Sequence, residues 1–367
     1  MRSSRQLIPL SRRIPTAKKV GLVIGTLGHP QMLMISLQFL ALATIVVLAG
    51  IVLAKSCDQI ADITGMGRLL IGSVLLAGVT SLPELSVDVS AVRQGMPDLA
   101  AGDLLGSSLM NLLILAALDL LHRNGGKMLS REAAAHALSG TMAIALTGLA
   151  GLGILTASKL HAPTVLGIGI WSWAIFLAYC FGVRMVFLDQ RISASTVKEA
   201  EHAAPAAHKP LPPWWNPVSK FVLAAIVLCL TGPRLAETAG QFADHSGWGK
   251  TFVGTTLVAL CTSLPELVAS ITALRMKAFD LVIGNIFGSN TFNMILFVPL
   301  DAAFPGPLFA ALSPSHGVTA LAVIVATAIA VLGQLYHVER RRRLIEPDAL
   351  LMIVVLMGAL WIVYQLS

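Results

Sequence analysis

The six residues TSLPEL occupy positions 80–85, and the same six letters return at 262–267. Each copy lies in the middle of a long apolar run and carries one glutamate, Glu84 or Glu266, into that run. A charged side chain at the centre of a bilayer costs about 2.5–3.5 kcal/mol on insertion scales, so acids in such segments usually mark ion pathways. The repeated stretch therefore predicts a symmetric pair of functional acids.

The composition around these copies is that of a membrane protein. The chain has 367 residues, of which 56% are hydrophobic and 12% charged, with a mean hydropathy of +0.78. A soluble domain carries about 25% charged residues. Apolar runs close to the ~20 residues that span a bilayer recur along the chain. They predict ten spans, at 32–54, 67–92, 98–121, 132–155, 162–188, 216–240, 250–274, 280–303, 315–337 and 348–366.

The two copies belong to a longer duplication. Shifting the sequence by 182 residues lays 72–119 over 254–301 without a gap, and 19 of the 48 positions are identical. The two segments begin on the second and seventh spans, five crossings apart, so they enter the membrane from opposite sides. Inverted repeats with interrupted helices are typical of secondary transporters. We expect an all-α membrane protein of about ten transmembrane helices in two inverted five-helix repeats, divided into a basic tail (1–31), a first half (32–188), a linker (189–215) and a second half (216–367).

The basic residues indicate topology and not a nucleic-acid partner. The net charge is +7, but the Lys and Arg residues separate the apolar runs and form no patch with interleaved aromatic residues. Sixteen of the 26 lie on the side of the odd-to-even loops, which places those loops in the cytoplasm and both termini outside. The six basic residues of the tail contradict this orientation. We expect a multi-pass protein of a prokaryotic plasma (inner) membrane, with lipid as its surroundings.

The proline in each copy interrupts its helix. A proline inside a helix lacks an N–H and displaces the carbonyl four residues before it. Pro83 and Pro265 should release the carbonyls of residues 77–80 and 259–262, which must then face protein or a polar cavity. The letters SLPE also form a capping box, in which the serine caps a new half-helix and the glutamate closes it. Two symmetric acids within a membrane favour an ion pathway over helix capping alone.

The second part of each duplicated segment adds polar oxygens. GDLLGSSLMN (102–111) and GNIFGSNTFN (284–293) each place two glycines four apart, which favours close helix approach. Each also places a serine and an asparagine four apart on one helical face, Ser107 with Asn111 and Ser289 with Asn293. Ser108, Asn285 and Asn290 are as consistent with contacts between helices as with ion binding.

The donor set predicts a hard cation. The candidate ligands are all oxygens, with no His or Cys among them, which disfavours zinc and copper. Such ligands suit calcium, and sodium also takes them. The two glutamates carry a charge of −2, which balances one divalent ion. Monovalent ions that bind the same acids would compete with it, and this competition is the basis of antiport.

TSLPEL followed by GSxxxN, duplicated in inverted halves, closely resembles the calcium/cation antiporter superfamily and, within it, the sodium/calcium exchangers. The resemblance implies that Glu84 and Glu266 hold calcium and that the family exchanges several sodium ions for each calcium by sliding the first and sixth helices. It implies calcium ligation by Glu84, Glu266, Thr80 and Thr262, with Asn111 and Asn293 in the metal site. The implied sodium and coupling set is Glu84, Glu266, Ala77, Ala259, Ser81, Ser263, Ser107, Ser289, Asn111 and Asn293.

The sequence also departs from the family pattern. Asn293 stands where many relatives carry an aspartate, which disfavours potassium co-transport. Asp103 replaces the usual asparagine of the first repeat, and Asp88 and Asp119 are further acids near the same layer, so coupling to protons stays open. Asp98 and Asp280 open the third and eighth spans and are interpreted as N-caps.

Three other functions compete with sodium/calcium exchange. A calcium/proton exchanger would titrate the same glutamates. A cation channel usually needs oligomeric symmetry, whereas the repeat supplies pseudo-symmetry in one chain. An intramembrane enzyme would need a nucleophile with a base, yet His136 and His316 have no matching partner in the repeats. We therefore expect a transporter that acts as a single chain on inorganic cations, with calcium and sodium, or protons, as transported ions and no cofactor.

Overall fold

The structure is a computed structural model that describes residues 30–66, 68–121, 134–160, 163–201, 213–246, 259–335 and 347–366. Nearly all of the predicted tail (1–31) and the start of the predicted seventh span (250–258) lie outside these residues. The first half contains α1 (Pro30–Thr64), α2 (Arg68–Thr80), α3 (Leu82–Arg93), α4 (Pro97–Leu121), α5 (Ala134–Leu160) and α6 (Ile170–Glu201). The second half contains α7 (Trp215–Ser246), α8 (Ala259–Thr262), α9 (Leu264–Arg275), α10 (Phe279–Ala303), α11 (Leu308–Ala311), α12 (Ser315–Leu335) and α13 (Pro347–Leu366).

Helices occupy all ten predicted span positions. In the described part of the chain, seven helices are long and apolar enough to cross a bilayer, and α2 with α3 forms an eighth span that bends by 43°. The broken pair α8 and α9 and the shorter apolar helix α13 take the two remaining positions. Several helices are longer than predicted, because polar residues such as those that follow residue 54 continue the helix beyond the apolar run.

A small hairpin replaces the predicted start of the fifth span. β1 (Thr164–Val165) pairs antiparallel with β2 (Ile168–Gly169), and α6 begins only at Ile170. The turn between the strands has Leu166 at φ 55° and Gly167 at φ 79°, the left-handed pair that two-residue hairpins require. At its other end α6 continues to Glu201, so the first part of the segment predicted as a linker is helical.

α4 and α10, which carry the Ser and Asn pairs, are the most enclosed of the long helices, whereas α6 is the least enclosed. Two glycines of α10 bring it against α2. A Cβ added at Gly288 would lie 2.5 Å from the Ser73 backbone, and one added at Gly284 would lie 2.8 Å from the Leu69 carbonyl oxygen. The predicted close approach is confirmed for these two glycines. Residues 71–76 of α2, at this crossing, wind as a π-helix, a feature often found at functional sites.

The helices α1 and α7 each pack on the break of the opposite half. Gly50 of α1 lies against Val268 and the Pro265 carbonyl, and its repeat mate Gly232 of α7 lies against the Pro83 ring. A Cβ at Gly232 would come within 2.4 Å of Pro83 Cβ. Each interrupted helix is therefore covered by a helix from the other half of the chain, and α1 and α7 also pack on each other.

Two histidine–aspartate contacts join the halves. His136 Nε2 lies 2.8 Å from Asp280 Oδ1, and His316 Nε2 lies 3.1 Å from Asp98 Oδ1, which also accepts a hydrogen bond from the Ser313 N–H. The N-cap of α10 is Ala278, so the N-cap interpretation of Asp280 is wrong. Asp98 likewise lies inside the first turn of α4. Each of the two histidines thus binds an aspartate of the opposite half, a contact that the sequence analysis did not predict.

Candidate cation-binding site

The two TSLPEL segments form matching helix breaks at the centre of the molecule. Ser81 leaves the helical conformation at φ −88°, ψ 7°, and Ser263 does so at φ −80°, ψ 1°. Each proline then stands in the first turn of the following helix, where its missing N–H costs nothing. Neither serine side chain caps the helix that follows it. The predicted capping boxes are therefore wrong, and the serine hydroxyls are available for other contacts.

Glu266 is held by hydroxyls from both repeats. Its Oε1 accepts hydrogen bonds from Ser81 Oγ of the first repeat and Ser289 Oγ of the second, both at 3.4 Å. Its Oε2 and the Oε2 of Glu84 have no hydrogen-bond partner among the described residues. Both glutamates are 1% exposed. The predicted pair of acids is thus buried, and each acid presents one oxygen that no donor satisfies.

Hydroxyl contacts link each TSLPEL segment to the polar helix of the other repeat. Thr80 Oγ1 lies 3.5 Å from Ser289 Oγ, and the symmetric pair Thr262 Oγ1 and Ser107 Oγ lie 3.3 Å apart. Hydroxyl oxygens retain lone pairs when they donate, so these four groups can still face a cation. The 182-residue duplication thus appears in space as reciprocal contacts between repeats.

The asparagine side chains are oriented with their oxygens inward. Asn111 Nδ2 donates to Asn290 Oδ1 at 3.0 Å, and Asn293 Nδ2 donates to Leu104 O and to Ser108 Oγ, both at 3.4 Å. Each amide nitrogen is engaged as a donor, and each Oδ1 has no partner in the part of the chain that the structure describes. Ser108 and Asn290 are repeat mates, and they act here as partners of the asparagines. Each of them directly follows the Gly–Ser pair of its repeat, and this position marked them as candidates in the sequence. It did not distinguish a hydrogen-bonding partner of the asparagines from an ion ligand.

The Ala77 carbonyl is not free, contrary to the prediction that Pro83 releases it. Its oxygen accepts from the Ser81 N–H at 3.1 Å and from Thr80 Oγ1 at 3.2 Å, so the proline does not release it in this structure. Ala259 is the first residue of α8. Cation binding at the Ala77 carbonyl would require one of these bonds to break or be shared.

The site residues include unsatisfied oxygens from both repeats. They are Glu84 Oε2, Glu266 Oε2, Asn111 Oδ1, Asn293 Oδ1 and Ser263 Oγ. A buried acceptor without a donor costs about 1–3 kcal/mol, and more when it is charged. A hard cation would satisfy such oxygens together. No group of three or more His, Cys, Asp or Glu side chains is placed to hold a metal in the described ranges, so amide, hydroxyl and carbonyl oxygens would have to complete the coordination.

Comparisons with known proteins find similarity to cation antiporters. The family model described as sodium/calcium exchanger protein matches residues 34–188 and 217–365. The putative antiporter CaxA of Alkalimonas amylolytica is 27% identical over 88% of this chain and 99% of that protein. The Ca(2+)/H(+) antiporter ChaA of Bacillus subtilis is 27% identical over 75% of this chain and 77% of that protein. A solved structure of the sodium-calcium exchanger NCX_Mj superposes with a TM-score of 0.63 at 17% identity, over 90% of this chain and 98% of that one. The likeness confirms the predicted fold, an all-α membrane protein of two inverted five-helix repeats.

Proposed function

Because this chain belongs to the sodium/calcium exchanger protein family, we propose that it is a sodium/calcium exchanger that exports calcium as sodium enters. Membership identifies a cation antiporter, which is not an enzyme. The observation that supports calcium as one substrate is the set of unsatisfied oxygens on Glu84, Glu266, Asn111 and Asn293. Two carboxylates and two amides from symmetric positions offer a divalent ion both charge balance and oxygen ligands.

Calcium binds between the repeats in this proposal. Glu84 and Glu266 supply the charge, Asn111 and Asn293 supply amide oxygens, and Thr80 and Thr262 supply hydroxyls from the turns before the breaks. All six side chains are at most 1% exposed. A calcium ion takes six to eight oxygen ligands, so every member of this set would be needed, with backbone carbonyls or water in addition.

Sodium ions compete for the same acids. Ser81 and Ser289 already reach Glu266, and Ser107 and Ser263 lie at the matching positions of the other repeat. With the carbonyls of Ala77 and Ala259, these hydroxyls would form smaller oxygen sites on either side of the calcium position. Sodium at these sites neutralises the glutamates, which removes the charge that holds calcium.

We expect alternating access to arise where α1 packs on the helix break at Pro265 and α7 packs on the helix break at Pro83. These helices cover Pro265 and Pro83 through Gly50 and Gly232, so a displacement of either helix would uncover a break. Small residues at this contact allow two helices to slide past each other at close range. One chain contains both halves of this arrangement, and we infer that it functions alone in a prokaryotic plasma membrane.

Calcium/proton exchange is the second candidate, and two observations favour it. ChaA, a relative across most of the chain, is named a Ca(2+)/H(+) antiporter. The first repeat also buries Asp88 and Asp103 beside Glu84, and buried acids inside membranes form proton relays in other transporters. The sodium and proton hypotheses differ in the gradient that moves calcium.

The test is calcium uptake into vesicles that contain the purified protein. Vesicles loaded with sodium should take up calcium when diluted into sodium-free buffer, whereas an outward proton gradient should not drive uptake. Glu266→Gln should reduce the sodium-driven uptake by at least about 100-fold, because it removes half of the negative charge that calcium requires. Glu237→Gln, the same change at an exposed acid of α7, serves as the control and should transport normally.

Uptake driven by protons alone would replace the sodium hypothesis with the proton one. Uptake in Glu266→Gln equal to that of Glu237→Gln would contradict the assignment of the central acid. If neither gradient moved calcium, calcium would not be the substrate.

A further inference from the structure

The first repeat carries two buried acids that the second repeat lacks. Asp88 lies one helical turn after Glu84, and Asp103 lies one turn before Ser107. The repeat mates of these acids are Ser270 and Asn285. Asp88 is 0% exposed and Asp103 is 1% exposed. The symmetric calcium site does not use either acid, so their burial needs a separate explanation.

The second repeat shows how the same position is filled without charge. Asn285 Nδ2 donates to Ser270 Oγ at 3.1 Å and to the Glu266 carbonyl at 3.3 Å. An amide donor thus joins the broken helix to α10, although Asn285 Oδ1 has no partner among the described residues. This pair needs no ligand to connect the two helices.

In the first repeat no donor joins the corresponding pair. Asp88 and Asp103 stand at the repeat positions of Ser270 and Asn285, whose side chains contact each other, yet both carboxylates can act only as acceptors when ionised. Asp88 Oδ1 and Oδ2 and Asp103 Oδ2 have no partner, and no Lys, Arg or His side chain within the described ranges pairs with either acid. Asp103 Oδ1 accepts from Thr262 Oγ1 at 3.3 Å. Of these two wholly buried carboxylates, Asp103 has one hydroxyl donor and Asp88 has none among the described residues, so the pair lacks a positive charge.

Asp301 shows that this lack is not general in the chain. It is also buried, but it accepts hydrogen bonds from the Gly169 N–H at 2.8 Å, Ser172 Oγ at 2.5 Å and the Leu308 N–H at 2.9 Å. Three donors stabilise this carboxylate as a structural anchor for the β1–β2 hairpin. The Asp88 and Asp103 pair has no such set, which points to an ion.

We propose that Asp88 and Asp103 form an additional cation layer, present only in the first repeat, that takes a small monovalent cation of the sodium class. The layer lies one turn, about 6 Å along the helix axis, from the layer of Glu84 and Ser107. Thr262 connects the two layers, since its hydroxyl contacts both Asp103 and Ser107. The inference rests on the proposed cation exchange and adds a site to it.

Occupancy of this layer would weaken calcium binding. A cation about 6 Å from Glu84 repels a divalent ion through a medium of low dielectric constant. It also competes for the Thr262 hydroxyl. Sodium should therefore displace calcium more effectively from this chain than it would if the first repeat carried Ser and Asn as the second does.

The test uses the full chain in detergent, with sodium chloride as the probe at constant ionic strength and fixed pH. Binding of radioactive sodium and of radioactive calcium is measured for the wild type and for the double variant Asp88→Ser and Asp103→Asn. This variant reproduces the Ser270 and Asn285 pair, which an amide donor connects in the second repeat. We expect it to bind fewer sodium ions per chain, to bind calcium within about twofold of the wild type, and to need at least about tenfold more sodium to displace calcium.

Equal sodium binding by the wild type and the double variant would overturn the proposal. So would a wild type in which sodium has no effect on calcium binding while a lower pH, tested in a separate series, displaces calcium, since the pair would then hold a proton. If the double variant fails to fold, Asp88→Asn is the substitute, because it changes one atom and should also lower sodium affinity. Glu266→Gln separates this inference from the proposed function: it should abolish calcium binding and leave sodium binding at the Asp88 and Asp103 layer.

Discussion

At the scale of single residues, the orientation of Asn111 and Asn293 depends on hydrogen bonds to Asn290 and Ser108, which are not themselves proposed as cation ligands. Asn111 can point its oxygen inward because Asn290 accepts a hydrogen bond from its amide nitrogen. Asn290 in turn donates to the Ser108 carbonyl at 3.2 Å. Ser108, at the matching place of the first repeat, accepts from Asn293 through its hydroxyl. These partners orient the ligands in the way that outer-shell groups orient metal ligands elsewhere.

Substitution of Asn290 should test this positioning role. In Asn290→Ala the Asn111 amide loses its acceptor and can rotate, so we expect the calcium KM to rise about tenfold or more. The maximal rate should change less. Asn290→Ser retains a hydrogen-bonding group and should recover part of the loss. The measurement is calcium uptake as a function of calcium concentration in sodium-loaded vesicles, and an unchanged KM in Asn290→Ala would contradict the positioning role.

At the scale of helices, the chain uses small residues where two interrupted or polar helices must touch. Gly288 of α10 meets the backbone of α2 within the π-helical segment, so no side chain larger than hydrogen fits there without displacement. The contact holds the first broken helix against the helix that carries Ser289 and Asn293. The histidine–aspartate pairs at the starts of α5 and α12 fix the first turns of α10 and α4, the two helices that carry the Ser and Asn pairs. The polar residues of the site are thus held by backbone contact as well as by hydrogen bonds.

Gly288→Ala should destabilise the protein. The added Cβ would lie 2.5 Å from Ser73 Cα and O, so the two helices must separate, at a cost of about 1–3 kcal/mol. Gly358→Ala in α13 is the control, because a Cβ at that position has no atom within 4 Å. Thermal unfolding in detergent should show a lower midpoint for Gly288→Ala alone. Equal midpoints in the two variants would mean that the close approach of α2 and α10 is not required.

At the scale of the whole molecule, each half of the chain completes the other. α7 covers the break next to Glu84, α1 covers the break next to Glu266, and hydroxyls of each repeat contact the polar helix of the other. Neither half contains a complete site by itself. The most enclosed long helices are α4 and α10, whereas α1 and α7 present much of their surface outward. This division agrees with a transport cycle in which α1 and α7 move.

Gly232→Val should therefore slow transport more than it weakens ion binding. A side chain at this position would enter the Pro83 ring, since even a Cβ comes within 2.4 Å of Pro83 Cβ. We expect the sodium-driven calcium uptake rate to fall at least about tenfold, because the contact between α7 and the break must change during the cycle. Equilibrium binding of radioactive calcium should stay within about threefold of the wild type. A parallel loss of binding and rate would instead indicate that the substitution disrupts the site itself.

The sequence by itself determined the helical membrane architecture, the duplication and the central residues. Apolar length requires spanning helices, because backbone polar groups have no partner in lipid, and an exact repeat of TSLPEL implies a matched environment for Glu84 and Glu266. Local pattern did not determine the partners of polar groups. The capping boxes, the N-caps at Asp98 and Asp280, and the free Ala77 carbonyl were all expected from neighbours in sequence, and the structure replaces them with other contacts.

Only the tertiary structure decided these contacts, for a physical reason. A hydroxyl or carboxylate forms a hydrogen bond with whichever complementary donor or acceptor lies within about 3 Å. In this inverted repeat several of those partners are about 155–210 positions away in the chain, such as Glu266 for Ser81 and Ser289 for Thr80. The same fact separates Asp301, which three donors reach, from Asp88, whose two carboxylate oxygens have no partner among the described residues. In the sequence, Asp88, Asp103 and Asp301 all appear as acids within apolar runs. Only the packing distinguishes Asp301, a structural anchor, from the candidate ion site.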